Sequence, residues 1–243
     1  MTRMRSCTMK ILTVYFVLFS FVSWSQREKP MNYRRFDEKT FHFGFVLGAN
    51  SSDFTVYQVL EAYEKFGVRS ILNKSQPGGQ VGPVVTMSLG TPIVRLRLTP
   101  TFSFQERILQ YHFIDESYTG NEFMDERIQS ANFNFPLMLQ FRTHRVNNFA
   151  AYALLGFQYS LDLQSEEDAS QMFNDPFIKI KRNDWQGQVG GGIEFFATYF
   201  KFGMELKYSQ GISNVLIQDG TTVSKPIDQL FNRVWSFSLI FEG

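Results

Sequence analysis

Few side chains in this sequence have a type and spacing that could support catalysis. There are three histidines, His42, His112 and His144, and there is no P-loop, GxSxG, HExxH or CxxC motif. The nearest approach to a hydrolytic pair is Ser103 with His112, but no carboxylate is fixed beside them, and a catalytic base needs an orienting partner. The sequence therefore predicts a protein that is not an enzyme, with no cofactor, no metal site and no small-molecule substrate.

A second group consists of charged residues, which can form ion pairs, and they recur at every second position of short segments. Its members are Arg95, Arg97, Glu194, Lys201, Glu205 and Lys207. Because successive side chains of a strand point to opposite faces, each segment places its charges on one face. Enclosed charges must find partners. We therefore expect a charge-paired cluster with a structural role and no ligand.

The elements that carry these charges are amphipathic strands, most clearly a hairpin over residues 185–208. Alternate residues of this stretch are bulky and apolar, and those between them are mostly Gln, Gly, Glu and Lys. Alternation on both sides of a very short turn is typical of a β-hairpin. A register set by that turn places Glu194 opposite Lys201 and Gln188 opposite Lys207.

The same alternation recurs along the chain and predicts eight strands. They cover residues 41–49, 80–89, 93–105, 128–142, 149–163, 185–196, 200–208 and 233–242. Long and short connections alternate, and the long ones are 50–78, 106–127, 164–183 and 212–231. The short turn at 90–92 places Thr86 opposite Arg97. It also places Pro83 opposite Pro100, and because proline cannot donate a ladder hydrogen bond, we expect a bulge or a loss of pairing there.

The N-terminal residues are typical of an export signal. Basic residues precede an apolar run over residues 11–22, and small residues follow before Gln26. The run is shorter than the roughly 20 residues that a spanning helix needs, so we predict a cleaved signal peptide over residues 1–25. The only cysteine, Cys7, precedes the run. The exported protein should therefore contain no disulfide and no thiolate metal site.

Composition narrows the class of protein further. The formal net charge of +1 gives no field for nucleic acid, and a mean hydropathy of −0.18 argues against a bundle of membrane helices. Aromatic residues make up 16% of the chain, with 27 phenylalanines. Many aromatic residues with modest hydropathy are typical of a membrane barrel, because half of each strand remains polar.

Two architectures fit these strands, namely a soluble eight-stranded barrel or sandwich and an outer-membrane barrel. Eight strands enclose only enough space for side chains, and the bulky faces carry too many phenylalanines to pack inward. The alternation of long and short connections is typical of outer-membrane barrels. We therefore predict an all-β, eight-stranded antiparallel up-and-down transmembrane outer-membrane β-barrel over residues 40–243, in contact with lipid. A short extended periplasmic arm over residues 26–39 would precede it.

Two stretches resemble a known family. The segment HFGFVLGAN at residues 42–50, followed by Asp53 and Phe54, and the proline-containing strand NFPLMLQ at residues 134–140 are similar to the PorT-like outer-membrane barrels of Bacteroidetes. The resemblance implies a non-enzymatic role in type IX protein secretion, through contacts with other outer-membrane secretion components. It suggests Asn50, Asp53 and Phe54, at the start of the 50–78 loop, as candidate docking residues. The alternatives are a small barrel with a structural or adhesive surface role and a conducting porin, which eight strands disfavour.

Overall fold

The computed structural model describes residues 31–33, 36–114, 123–165, 167 and 177–243. The elements discussed here belong to the unit Asn32–Gly243. The strands are β1 (Phe41–Gln58), β2 (Val68–Ser88), β3 (Val94–Leu98), β4 (Thr101–Phe113), β5 (Phe123–Arg142), β6 (Phe149–Asp162), β7 (Asn183–Phe196), β8 (Lys201–Gly211) and β9 (Ile227–Glu242), with one short helix, α1 (Ala62–Phe66). The predicted signal peptide lies outside the described residues.

The strands form one antiparallel sheet that closes on itself. Neighbours in sequence are neighbours in the sheet, and β1 completes the ring by pairing with both β2 and β9. Together β3 and β4 occupy the place of the predicted third strand, and each pairs with β2 and β5. The all-β up-and-down architecture predicted from the sequence is thus confirmed, with one of its eight strand positions divided in two.

That division falls at the two prolines. Pairing of β2 with β3 ends at Val85 opposite Leu98, and pairing of β2 with β4 resumes at Val81 opposite Phe102. The predicted local loss of pairing around Pro100 is confirmed. The strands still approach closely there, because a Cβ placed on Gly82 would lie 1.9 Å from the carbonyl oxygen of Pro100. Only glycine fits at this position.

The two faces of each strand meet different surroundings. Inward-facing Arg95 and Arg97 are 0% and 2% exposed, whereas Leu98 on the outer face is 39% exposed and Phe43 is 62% exposed. The outward residues over the central part of the ring are mostly large and apolar, and the inward ones are mostly polar or small, with a few apolar side chains such as Met138 and Leu154 among them. Such a wall suits contact with hydrocarbon. An apolar wall around a polar lumen is the arrangement found in membrane barrels.

Aromatic side chains form a girdle at one edge of the apolar wall, the edge nearer the long connections. Positions beyond this edge, towards the long connections, are described as above the girdle. Tyr208 packs on Trp235 with ring centroids 4.8 Å apart, and Tyr159 packs on Trp185 at 5.1 Å. The hydroxyls of these tyrosines donate to polar side chains, Tyr208 to Gln210 and Tyr159 to Asn183. Rings with an apolar body and a polar tip are expected where hydrocarbon gives way to water. In the described part of the chain, no helix has the length and apolar character needed to cross a membrane.

The strands extend further above this girdle than the sequence predicted. The connection predicted at 50–78 is reduced to 59–67, and β4 and β5 extend into the one predicted at 106–127, to Phe113 and from Phe123 respectively. The reason is a change of phase along the strands. In β1 the large apolar side chains from Phe41 to Leu47 are outward except Val46, but Phe54 above the girdle is inward and 1% exposed. Below the girdle the outer surface of the ring contacts lipid, and above the girdle it contacts water. The apolar residues of a strand therefore face outward below the girdle and inward above it.

The inward apolar residues above the girdle form a core at the long-connection end. Its buried members are Phe54, Val68, Ile71, Leu109, Tyr111, Phe113, Ile128, Ile178, Ile180, Val215, Leu216, Val223, Ile227 and Leu230. Residues 178–180 and 215–223 belong to connections, and the hydroxyl of Tyr111 donates to the carbonyl oxygen of Val223 at 2.8 Å. We call this group the apolar cap, because it fills the ring above the polar lumen.

Candidate functional site

The charged residues singled out in the sequence meet inside the ring, near the end with short turns. Arg97 is at their centre. Its Nη1 lies 2.8 Å from Oε2 of Glu205, and its Nη2 lies 3.7 Å from Oε1 of Glu194 and 3.6 Å from Oε2 of Glu242. The same guanidinium donates to Gln140 at 3.0 Å. These side chains are at most 2% exposed, so the charges can be accommodated only because they neutralise one another.

Glu194 is the carboxylate with the most cationic neighbours. Its Oε1 lies 2.8 Å from Nζ of Lys201, and its Oε2 lies 2.9 Å from Nε of Arg142. Lys201 also contacts Glu242. The cluster therefore crosses the lumen from β5 and β3 to β7, β8 and β9, and it ties together strands that are not neighbours in the sheet.

The register predicted for the β7–β8 hairpin is wrong by two residues. Glu194 is opposite Gly203 and Lys201 is opposite Phe196, while Gln188 is opposite Ser209. The turn occupies residues 197–200, closed by a bond from the amide of Ala197 to the carbonyl of Phe200, and is longer than the sequence suggested. Lys201 still reaches Glu194, because both point into a narrow lumen. At the other short turn, the predicted pairing of Thr86 with Arg97 is confirmed.

Sequence reasoning missed three members of the cluster, namely Asp37, Arg142 and Glu242. Arg142 and Glu242 are at the ends of β5 and β9, on the inward face. Their positions in the alternation could have identified them, since each continues an inward series of its strand. Asp37 precedes the first strand, and no periodicity marks it.

Residues before β1 fold back into the short-turn end of the ring. The sequence predicted an extended arm over 26–39, but its described part contains a turn in which the amide of Phe36 donates to the carbonyl of Tyr33. Phe36 is 0% exposed and stacks on His42 with ring centroids 3.8 Å apart. Asp37 accepts from Arg95 at 2.9 Å and from Arg142 at 2.6 Å. We call Phe36 and Asp37 the plug pair, and the part of the lumen that receives them the mouth.

The candidate docking residues are not at the start of a loop. All three are in β1, and Asn50 and Phe54 face inward at 4% and 1% exposure. Asp53 faces outward and makes a two-point ion pair with Arg233 at 2.6 and 2.7 Å across the β1–β9 seam. Buried side chains cannot contact a partner, so Asn50 and Phe54 are not available for docking in this structure, while docking at Asp53 stays a prediction.

The structure separates Ser103 and His112, which were the nearest approach to a hydrolytic pair in the sequence. His112 is in β4 and stacks on Phe123 at 4.5 Å, on the opposite face from inward-facing Ser103. Ser103 is 0% exposed and accepts from Asn50 at 3.1 Å. No group of three or more His, Cys, Asp or Glu side chains able to hold a metal is found among these residues.

The lumen between the charge cluster and the apolar cap is polar and nearly filled. A cavity of about 10 Å³ remains there, lined by residues such as Gln158, Gln188 and Lys207. A space of that size holds about one water molecule. Over the part of the chain that the structure describes, the ring therefore contains a packed polar interior rather than an aqueous channel.

A closed antiparallel ring with an apolar outer wall, an aromatic girdle and a polar interior defines a transmembrane β-barrel. The chain belongs to the outer membrane protein beta-barrel domain family, whose model matches residues 24–216. Short turns are periplasmic in such barrels, so we expect the mouth to face the periplasm and the apolar cap to face the cell exterior.

The chain is also similar to several solved structures. OprG from Pseudomonas aeruginosa is 15% identical, with a TM-score of 0.48 over 83% of this chain and 93% of that one. The N-terminal β-barrel domain of Pseudomonas aeruginosa OprF is 9% identical, with a TM-score of 0.33 over 82% and 97%. Ail, the attachment invasion locus protein of Yersinia pestis, is 10% identical, with a TM-score of 0.37 over 84% and 100%. No curated protein sequence matches the chain.

Proposed function

We propose that this barrel is PorT, a non-enzymatic component of the type IX secretion system of Bacteroidetes, and that it acts through contacts with other outer-membrane components. The specific assignment rests on the sequence resemblance at residues 42–54 and 134–140. The signal peptide over residues 1–25 would deliver the chain to the periplasm for insertion.

The observation that favours contact over conduction is the filled lumen. The plug pair and charge cluster occupy the end with the short turns, and the apolar cap occupies the other. A barrel with such an interior offers no path for a protein cargo. What it presents to other proteins is its surface at either end and its lipid-facing wall.

The outer tip is one such surface. Leu60 and Tyr63, around α1, are 89% and 57% exposed, and Tyr57 at the end of β1 is 54% exposed. Contiguous patches of exposed apolar side chains are characteristic of interaction sites, and we infer that these three neighbouring side chains form such a patch. The same feature favours the second candidate, an adhesive or structural surface role that does not involve secretion.

Deletion of the gene separates the two candidates. If the protein serves secretion, cargo with a type IX sorting signal should accumulate in the periplasm, and wild-type protein should restore export. Normal export after deletion would reject the secretion role and leave the surface role. The double variant Leu60→Ser/Tyr63→Ser tests the outer tip. Its matched control is Tyr199→Ser at the short-turn end, because Tyr199 is also exposed, at 84%.

A further inference from the structure

We propose that the mouth of the barrel is a binding site for a peptide with an aromatic residue followed by a carboxylate, and that the plug pair occupies it as an intramolecular stand-in. The identification of this peptide as part of a secretion component rests on the proposed function, whereas the site itself does not. The chain's own Phe36 and Asp37 thus show which chemistry the mouth recognises.

The carboxylate half of the site is built from buried cations. The side chains of Arg95 and Arg142 are 0% and 2% exposed, and both donate to Oδ1 of Asp37, whose side chain is 29% exposed. The receptor groups are thus fixed within the barrel, and the carboxylate they hold is at the rim, in reach of solvent. Charge-assisted bonds from arginine to a carboxylate are among the stronger hydrogen bonds in proteins.

This site has donors that Asp37 does not use. Nε and Nη1 of Arg95 and Nη2 of Arg142 are buried and have no hydrogen-bond partner among the described residues. A guanidinium has five N–H donors and suits two-point contact with both oxygens of a carboxylate, whereas here both arginines donate to the same oxygen of Asp37. A carboxylate delivered from outside the chain could satisfy more of these donors.

The aromatic half is a pocket shaped around one ring. Phe36 stacks on His42 at 3.8 Å and meets the edge of Phe196 at 5.5 Å. Nζ of Lys201 lies 4.8 Å from the ring centroid, and Cζ of Arg95 lies 5.3 Å from it. Cations over an aromatic face are attracted to it, so the same positive charges that hold the carboxylate also favour an aromatic ring beside it.

Departure of the plug pair would leave the strands of the barrel paired, while Asn32, whose amide donates to Oδ1 of Asn148 at 2.8 Å, anchors the arm on the other side. The plug pair precedes β1, which begins at Phe41, so it contributes no strand to the ring. Glu38, Lys39 and Thr40, which join it to β1, are exposed. Exchange for an external peptide would break the bonds of Asp37 and withdraw Phe36 while the sheet stays paired. In the resting protein the plug pair competes with any such peptide.

The test uses the full-length exported protein in detergent and a fluorescein-labelled peptide with the sequence of residues 32–40, NYRRFDEKT. Phe36→Ala/Asp37→Asn vacates the site, and we expect this variant to bind the peptide at least about tenfold more tightly than wild type. Glu38→Gln, which changes the neighbouring exposed carboxylate, is the matched control and should bind as weakly as wild type. Heat-modifiable gel mobility verifies that each variant is folded.

A second peptide, with Asn in place of Asp, tests the carboxylate without altering the protein. It should bind the vacated variant at least about tenfold more weakly than the first peptide. Equal binding of the two peptides, or equal binding of the first peptide to wild type and to the vacated variant, would overturn the proposal. Neither result bears on secretion, and normal export after gene deletion would reject the proposed function without affecting these affinities.

Discussion

Substitution of Glu194 by glutamine should destabilise the barrel strongly. The change keeps the size of the side chain and removes a charge that lies 2.8 Å from Lys201 and 2.9 Å from Arg142. At an effective dielectric constant of about 20, unit charges separated by 2.8 Å interact by about 6 kcal/mol. Relief of the desolvation of Glu194 offsets part of this loss. Breaking a buried ion pair from one side costs about 3–5 kcal/mol, and we expect that decrease in the free energy of unfolding.

The cost of Glu194→Gln depends on which carboxylates remain beside the two cations that Glu194 contacts. In Glu194→Gln, Arg142 keeps Asp37 and Lys201 keeps Glu242. Adding Lys201→Met removes the unbalanced cation, while Glu242 stays 3.6 Å from Arg97. The double variant should therefore lose less than the sum of the single changes, with a coupling energy of about 1–3 kcal/mol.

Urea unfolding in lipid vesicles, followed by tryptophan fluorescence, measures these differences. The control is Glu106→Gln, because Glu106 lies 3.9 Å from Arg127 on the outer wall with side chains 32% and 65% exposed. An exposed pair contributes about 0–1 kcal/mol, so this variant should unfold close to wild type. If Glu194→Gln also unfolds within about 1 kcal/mol of wild type, the cluster is solvated and the reasoning fails.

Three further predictions concern topology, backbone packing and the cap. Leu60→Cys should react with an impermeant maleimide on intact cells and Tyr199→Cys only after the outer membrane is permeabilised, and the reverse pattern would invert the orientation. Gly82→Ala should lower the free energy of unfolding by about 1–3 kcal/mol because its Cβ meets Pro100. The control is Gly187→Ala, whose Cβ meets only Ile212 at 3.8 Å, and it should be nearly neutral in the same urea titration. Phe54→Ala should cost about 3–5 kcal/mol if the cap is a packed core, and a small effect would show that it is loose.

Most of the strand faces could be predicted from the sequence because alternation is local. Whatever its neighbours in the sheet, a strand places residues i and i+2 on the same face, so the inward positions of Arg95, Arg97, Lys201 and Glu205 follow from their spacing. The assignment of the outer face to lipid followed from residue size, since eight strands enclose too little space for many phenylalanines.

The cross-lumen contacts could not be predicted in this way. Arg97 on β3 meets Glu205 on β8 at 2.8 Å only because the ring closes and is narrow. Pairing registers give neighbours along the wall and say nothing about side chains that extend across the interior. The same holds for Asp37, which reaches Arg95 and Arg142 from outside the strands.

The sequence by itself determined that this chain forms amphipathic strands with a bulky face and a polar face, because that pattern depends only on backbone geometry. The tertiary structure decided where the pattern changes sides. Phe104 of β4 faces outward at 58% exposure, while Tyr111 of the same strand faces inward at 0%. Apolar side chains lie on the side of a strand that does not contact water. Which side that is depends on the position of the residue relative to the aromatic girdle, which only the tertiary structure shows.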